Sequence, residues 1–204
     1  PYGELFEAYL GKKQPKTFCA SYLKTLKETT IKSKIIFQGK FLDVRYDEVE
    51  LPNGKKSTRE WINHPGASVI IPILSDQRIA LIKQFRYPLK EEFIELPAGK
   101  RDKNENYEVC ALRELEEEIG YSAGKLTFVT KIAPAIGFAN EIMKIYLAQD
   151  LKKTKNNLDS DEFIELIPTT IPDAVSMVWD GSIIDVKTII GILWIDKNKN
   201  LLDF

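Results

Sequence analysis

The segment Gly99–Tyr121, GKRDKNENYEVCALRELEEEIGY, constrains the fold more than any other part of the chain. At about 100° per residue, a helix through its second half separates two groups of side chains onto opposite faces. One face carries Leu112, Leu115 and Ile119, and the opposite face carries Glu114, Glu117 and Glu118. The pattern predicts a helix from about Tyr107 that packs on a core through its apolar face.

The acidic face of this helix needs an explanation. Like charges three or four residues apart weaken a helix by a few tenths of a kcal/mol per pair. A solvated helix would usually space such acids out or pair them with lysine. Hard divalent cations prefer carboxylate oxygen, so the cluster favours a site for Mg²⁺, with Mn²⁺ as the alternative. The plain alternative is an acidic amphipathic helix without chemistry.

The same segment fits the spacing G-x5-E-x7-R-E-U-x-E-E-x-G-U, in which U is a bulky apolar residue. The fixed positions are filled by Gly99, Glu105, Arg113, Glu114, Glu117, Glu118 and Gly120. This spacing resembles the signature of the Nudix hydrolases, and a chance match in this chain is on the order of one in a million. Leu115 fills the first apolar position, whereas Tyr121, with its polar tip, departs from the last.

Composition limits the partners of the chain. Its 204 residues suffice for one core and a small subdomain, and its formal net charge is -1. Lys and Arg are spread along the sequence, which argues against nucleic-acid binding, and no apolar run approaches a membrane span. Cys19 and Cys110 form no disulfide framework, so we expect reduced thiols in a cytoplasmic protein. His64 alone cannot build a His-based metal site or a catalytic triad and is interpreted as structural.

Three segments follow one another along the chain. Residues 1–33 are predicted to form a helical extension, with short helices over 3–10 and 19–29. Residues 34–63 are predicted to form a small antiparallel β unit. Residues 64–204 would then hold the main domain.

Alternating apolar residues predict the strands of the 34–63 unit. They are expected over Ile35–Gln38, Phe41–Leu51 and about Ser57–Asn63. Pro52, Asn53 and Gly54 supply turn chemistry between the last two strands.

Strands and helices alternate in the main domain without a regular βαβ rhythm, which predicts an α+β fold with helices packed on a mixed sheet. Strands are expected over Ala67–Leu74, Ile79–Phe85, Glu92–Leu96, Leu126–Ile132, Ile142–Ala148 and Phe163–Ile167. Two closing helices are predicted over Ile171–Asp180 and Asp185–Asp196, with Asp173 and Asp185 as early-turn or cap residues and Gly181 between them.

The resemblance covers about 34–195 and narrows to the ADP-ribose pyrophosphatase branch of the family. Similar segments are Thr58–Ala67, Ile82–Pro88, Glu95–Lys100, Gly137–Glu141, Asp161–Glu165 and Asp185–Thr188. It implies a Nudix α/β/α sandwich with a mixed sheet. It also implies that the 34–63 unit crosses to a partner subunit and helps to complete the base pocket, so a homodimer is expected.

The metal site is expected at the acidic helix. Glu114 and Glu118 lie four residues apart on one face and suit joint chelation, and Glu117 is placed to serve a second ion. The resemblance adds the backbone carbonyl of Ala98 as a further ligand.

The catalytic residues are expected beside this site. Arg113 is interpreted as an orienting residue paired with Glu105 or Glu117, with a substrate clamp as the alternative. A water must lose a proton to attack phosphorus, and the resemblance points to Glu141, in the loop 133–141, as the base. An ordinary structural role for Glu141 is the alternative. The other candidates for the base are Glu162 and Glu165.

Four residues are expected to bind the substrate. Arg59 and Arg86 suit phosphate contacts through the fork geometry of their guanidinium groups. Trp61 or Phe138 could stack on a purine, and a buried role in the hairpin is the alternative for Trp61.

The resemblance implies Mg²⁺-dependent hydrolysis of ADP-ribose, or a related nucleoside diphosphate sugar, to a nucleoside monophosphate and a sugar phosphate. A GDP-mannose or ADP-glucose hydrolase would use the same chemistry. A non-catalytic nucleotide-sugar sensor of the same fold is a third hypothesis. The complete set of signature glutamates argues against it.

Overall fold

The computed structural model describes residues 25–154 and 163–202. Two compact units divide these residues. The first unit comprises 25–36 and 45–60, and the second comprises the remaining described residues. None of the α-helices in the described ranges has the length and apolar character that a membrane crossing requires.

Three strands form a small sheet in the order β1-β2-β3. They are β1 (Thr29–Gln38), β2 (Asp43–Glu50) and β3 (Lys56–Ile62). The predicted turn is present between β2 and β3, where Gly54 has φ +79° and its N–H donates to the carbonyl of Leu51 at 2.8 Å. Every residue of β1 is exposed.

The structure corrects the end of the predicted helical extension. Residues 25–28 are not helical, and β1 begins at Thr29 rather than near Ile35. The cause is local composition, because Thr and Ile recur through β1 and β-branched side chains favour extended backbone. Residues 1–24, with the predicted helix over 3–10, lie outside the described residues.

Two further sheets belong to the second unit. A mixed sheet has the order β7-β4-β9-β8, in which β4 runs parallel to β9 and antiparallel to β7. Its strands are β4 (Ala67–Pro72), β7 (Ala98–Lys100), β8 (Tyr121–Ile132) and β9 (Met143–Lys153). An antiparallel sheet has the order β10-β5-β6. Its strands are β5 (Ile79–Arg86), β6 (Glu91–Glu95) and β10 (Ile164–Thr169).

Three α-helices belong to this unit, namely α1 (Tyr107–Ile119), α2 (Ile171–Trp179) and α3 (Val186–Lys197). Asn106 caps α1 with its side chain, and Gly120 ends it with φ +69°, so the predicted start near Tyr107 is confirmed. Thr170 and Asp185 cap the other two helices. The predicted cap role is therefore confirmed for Asp185, while Asp173 lies in the first turn of α2.

The core places helices on both faces of the mixed sheet. Ile70 of β4 packs in a cluster with Leu115 of α1, whereas its neighbours Val69 and Ile71 pack in a cluster with Ile192 of α3. Because successive side chains of a strand point to opposite faces, β4 is buried on both sides. This arrangement confirms the predicted α+β class and the α/β/α sandwich.

Candidate active site

Arg113 of α1 gathers three carboxylates. Its Nε donates to Oε1 of Glu105 at 2.9 Å, and its Nη1 donates to Glu114 and Glu117 at 2.7 Å each. The hydrogen bonds that Arg113 donates to Glu105 hold the pKa of Glu105 at about 2, and the same bonds raise the pKa of Arg113 above its ordinary value. Arg113 therefore contacts both of its predicted partners, Glu105 and Glu117, at once.

Glu114 and Glu118 are buried, with 9% and 7% of their surface exposed. The helical wheel places them opposite the apolar face, but β7 passes next to them and removes them from solvent. The Ala98 N–H donates to Oε2 of Glu118 at 2.9 Å. A Cβ atom at Gly99 would overlap the carboxylate of Glu114, so this close approach requires glycine.

The acidic cluster holds the right donors for a hard cation but is turned toward protein partners. Within the two described ranges, no group of three or more His, Cys, Asp or Glu side chains converges in a geometry ready for a metal ion. Glu114 instead contacts Arg113, and Glu118 contacts the Ala98 amide. Two buried carboxylates and the half-buried Glu117, crowded at a glycine, nevertheless fit the oxygen chemistry of a divalent cation.

A cavity of about 670 Å³ opens in the second unit, within the range of small-molecule sites. Ala98 forms part of its wall, so the strand beside the buried carboxylates also lines the cavity. Its charged or titratable lining residues are His64, Arg86, Glu95, Lys100, Glu141, Asp185 and Lys187. Lys100 also lines the cavity, and its carbonyl accepts Nη2 of Arg113 at 3.1 Å, so the acidic helix and the cavity meet along β7.

Glu141 lies in the cavity wall beside His64, with Oε1 at 3.5 Å from Nδ1 of the imidazole. The backbone N–H of Gly66 donates to the same Nδ1 at 3.1 Å, which requires an unprotonated nitrogen there. Burial lowers the pKa of His64 despite the charge of Glu141, and Lys100 lowers it further. The structure therefore places a neutral imidazole beside Glu141.

Glu165, an alternative candidate for the base, does not line this cavity. Glu165 is on β10 and contacts Lys83 at 3.3 Å, in the wall of a second cavity of about 380 Å³. Glu162 lies outside the described residues. Of the two candidates within the described residues, Glu141 lines the cavity of Ala98 and Arg86, and Glu165 lines the second cavity.

Arg86 reaches the cavity from the end of β5. Its Nε and Nη2 donate to the two carboxylate oxygens of Glu95 at 2.6 and 2.7 Å. Lys187 donates to the same carboxylate. Arg86, which is predicted to contact phosphate, is therefore held in a side-on ion pair with Glu95 at the cavity wall.

The other three predicted substrate residues, Arg59, Trp61 and Phe138, do not line this cavity. Arg59 lies in the first unit, where its Nε donates to Glu28 at 2.9 Å. In the second unit, the Phe138 carbonyl accepts the N–H of Ile62 at 2.8 Å, and the Phe138 ring is 59% exposed. Trp61 is half-buried at the end of β3. Neither Trp61 nor Phe138 is part of the cavity wall.

Sequence reasoning missed several cavity residues. The structural interpretation of His64 agrees with its bond from the Gly66 N–H but left out its place in the cavity wall beside Glu141. Lys100, Glu95 and Lys187 were given no role, although each lies in a segment that carries the family resemblance. That resemblance was the available signal, because single charged residues show no periodicity.

Comparison with known proteins identifies two families along the chain. Residues 63–178 match the NUDIX domain, and residues 28–62 match the nucleoside diphosphate sugar hydrolase N-terminal domain. The second match starts within one residue of β1 and ends with β3.

Two curated relatives resemble nearly the whole chain. An ADP-ribose pyrophosphatase of Bacillus subtilis is 43% identical over 88% of this chain and 98% of its own length. A methanol dehydrogenase activator of Bacillus methanolicus is 41% identical over 87% of this chain and 97% of its own length. A solved structure of an ADP compounds hydrolase superposes with a TM-score of 0.75 at 22% identity, covering 84% of this chain and 93% of the other, and supports the fold.

Proposed function

Because the chain belongs to the Nudix hydrolase family, we propose that it hydrolyses the pyrophosphate bond of ADP-ribose or a related nucleoside diphosphate sugar. The products are a nucleoside monophosphate and a sugar phosphate. The observation that carries the proposal is the position of Ala98, which binds Glu118 of the acidic helix and lines the cavity. The same cavity holds the cation Arg86 and the carboxylate Glu141.

The relatives support this substrate class. The 43% identical protein of Bacillus subtilis and a 31% identical protein of Mycobacterium tuberculosis are both ADP-ribose pyrophosphatases. A GDP-mannose pyrophosphatase of Citrobacter koseri is 28% identical, so hydrolysis of GDP-mannose or ADP-glucose is the alternative. The non-catalytic sensor is the weaker alternative, because every signature glutamate is present in this chain.

Nudix hydrolases generally use a divalent metal ion, and we propose Mg²⁺ here, with Mn²⁺ as a substitute. Glu114, Glu117, Glu118 and the carbonyl of Ala98 are the proposed ligands. A divalent cation at this place would offset the negative charge of the diphosphate. Arg113 and Glu105 keep roles of orientation, since Arg113 holds Glu114 and Glu117 through direct hydrogen bonds.

Glu141 is the proposed base for the attacking water. Its place in the cavity wall and its neutral neighbour His64 support this role, because a base needs access to the reacting group. Arg86 is the proposed contact of the diphosphate. Phe138 and Trp61 remain candidates for base stacking, since the Phe138 ring is exposed and Trp61 lies at the end of β3.

We further propose a homodimer assembled through residues 34–63. Arg59, which lies in this segment, is proposed to contact the phosphates of the substrate. The apolar face of β1 supports it, because Ile31, Ile35 and Phe37 are 48%, 50% and 55% exposed on one side of the strand. The buried free thiol of Cys110 agrees with a cytoplasmic location. Neither nucleic acid nor a membrane is proposed as a partner.

The test is release of inorganic phosphate from a panel of nucleotide sugars in the presence of added phosphatase, with and without Mg²⁺. ADP-ribose should give the highest kcat/KM, and chelation of the metal should abolish turnover. Preference for GDP-mannose or ADP-glucose would select the alternative hydrolase. Binding of these compounds without turnover would select the sensor.

A further inference from the structure

Four charged side chains form one wall of the cavity. Arg86 and Glu95 come from β5 and β6, and Asp185 and Lys187 come from the start of α3. Glu95 and Lys187 are 2% and 5% exposed. Burying an ion costs roughly several kcal/mol unless it is paired, so this cluster is an expensive feature that stable packing alone does not need.

The Glu95 carboxylate is shared by two cations. It accepts Nε and Nη2 of Arg86 at 2.6 and 2.7 Å, and its Oε2 also accepts Nζ of Lys187. Burial would raise the pKa of Glu95, but the hydrogen bonds from Arg86 and the charge of Lys187 hold it below its ordinary value. The Glu95 carboxylate therefore faces two positive charges, and Asp185 shares one of them, the ammonium of Lys187.

Lys187 is itself held in place. Its Nζ donates to Oδ2 of Asp185 at 2.9 Å, and the same oxygen accepts the N–H of Thr188 at 3.0 Å as the cap of α3. The hydroxyl of Thr188 accepts the N–H of Leu96 at 2.8 Å. These contacts tie the first turn of α3 to the end of β6, so the ammonium group is fixed beside Glu95.

The geometry of the Arg86 ion pair leaves part of the guanidinium for a ligand. Glu95 binds the edge formed by Nε and Nη2, so the Nη1 donors lie outside this pair. With Arg86 as its sole cation, Glu95 would offset the whole charge of the guanidinium. Lys187 supplies the second positive charge that prevents this.

We propose that Lys187 is a positioning residue that neutralises Glu95, so that Arg86 stays fixed yet attracts the diphosphate of the substrate. The proposal rests on the proposed function, in which Arg86 contacts that diphosphate. It predicts that Lys187 affects binding of the substrate more than the chemical step.

The first experiment compares Lys187→Met with a matched control, Lys83→Met. Lys83 also bridges two carboxylates, those of Glu92 and Glu165, but outside this cavity. Lys187→Met should raise KM for the nucleotide sugar roughly tenfold with kcat within about twofold, since ground-state binding of the phosphate is lost. Lys83→Met should keep the wild-type KM. Lys187→Arg keeps the positive charge, so its KM should lie close to the wild-type value and well below that of Lys187→Met.

The second experiment uses Asp185→Asn. Asparagine is also a good helix cap, but it removes the negative charge of Asp185, so that Glu95 becomes the one charged partner of Lys187 in this wall. Its KM should fall below the wild-type value, opposite in direction to Lys187→Met. A KM at or above the wild-type value in Asp185→Asn would overturn the proposal, and this variant decides the question even if Lys187→Met does not fold. Wild-type KM in a folded Lys187→Met would also overturn it. Failure of the wild-type protein to hydrolyse any nucleoside diphosphate sugar would instead defeat the proposed function.

Discussion

At the scale of single residues, Glu118 offers the sharpest test of the acidic cluster. It accepts a hydrogen bond from the Ala98 N–H, and an amide oxygen can accept the same bond. Glu118→Gln should therefore keep the fold and lower kcat at least about a hundredfold, the scale of losing one electrostatic stabiliser. Steady-state kinetics and a thermal melt check both. Glu116→Gln, an exposed position on the same helix, is the control, and near-normal turnover of Glu118→Gln would remove this residue from the metal ligands.

Glu141 and Glu165 separate the two sites proposed for the base. Glu141→Gln should depress kcat about a hundredfold or more and leave KM near normal, because a base acts only as the barrier is crossed. Glu165→Gln breaks only a contact with Lys83 and should behave like the wild-type enzyme. The reverse pattern would move the base to β10.

The pairing of Glu105 with Arg113 makes stability depend on pH. The pKa of Glu105 in the folded protein is about 2, below the ordinary value of 4.5, so its contribution is present above 4.5 and is lost as pH falls toward 2. Glu105→Gln should therefore lower the free energy of unfolding at pH 7 by on the order of 1–2 kcal/mol, after allowance for solvent screening. Chemical denaturation at several pH values should show the difference shrinking between pH 4.5 and 2. Glu108→Gln, exposed in the first turn of α1, should follow the wild-type curve.

The sequence predicted residue contacts where they are local. Arg113 and Glu117 are four apart on one helix, so their contact follows from helical geometry. Glu95 and Lys187 are 92 residues apart, and neither shows a pattern before the fold joins β6 to α3. The phosphate role of Arg86 was predicted from its guanidinium geometry and its place at the end of a strand, but its ion pair with Glu95 was not predicted.

At the scale of elements, β7 packs against the acidic cluster and buries its carboxylates. Its middle residue is Gly99, where a methyl group would overlap the Glu114 carboxylate. Gly99→Ala should displace β7 or Glu114, lower stability by about 1–3 kcal/mol and reduce turnover strongly. Chemical denaturation and kinetics test this. Gly137→Ala is the control for stability, because a Cβ atom at that position meets no atom within 4 Å.

The sequence predicted the positions of helices and strands best where buried residues produce a regular apolar spacing. The helix α1 and the strand β4 were located closely, because apolar spacing and caps mark them. The strand β8 begins at Tyr121 rather than Leu126, and β9 ends at Lys153 rather than Ala148. These ends pair with each other and mix apolar residues such as Tyr121 and Leu151 with polar ones, so their apolar pattern is weaker than that of the central strands. The three residues of β7 are too few for any periodicity.

At the scale of the whole molecule, the exposed apolar face of β1 bears on assembly. Light scattering or sedimentation should give twice 23.3 kDa for the native protein. Ile35→Lys puts a charge on the apolar face and should shift the protein toward the monomer with a loss of activity. Lys32→Glu changes the opposite face of the strand and is the control. A fully active monomer at nanomolar concentration would contradict the dimer.

The contact between Glu95 and Lys187 also orders events during synthesis on the ribosome. These residues are 92 positions apart, so α3 emerges long after β5 and β6 have been made. A single domain generally folds as a unit, and Ile192 of α3 shares a core cluster with Ile71 of β4. The wall that joins β6 to α3 therefore cannot form until Glu95 and Lys187 have both left the ribosome. On the role proposed for Lys187, a nascent chain that still lacks α3 would lack the arrangement proposed to hold the diphosphate.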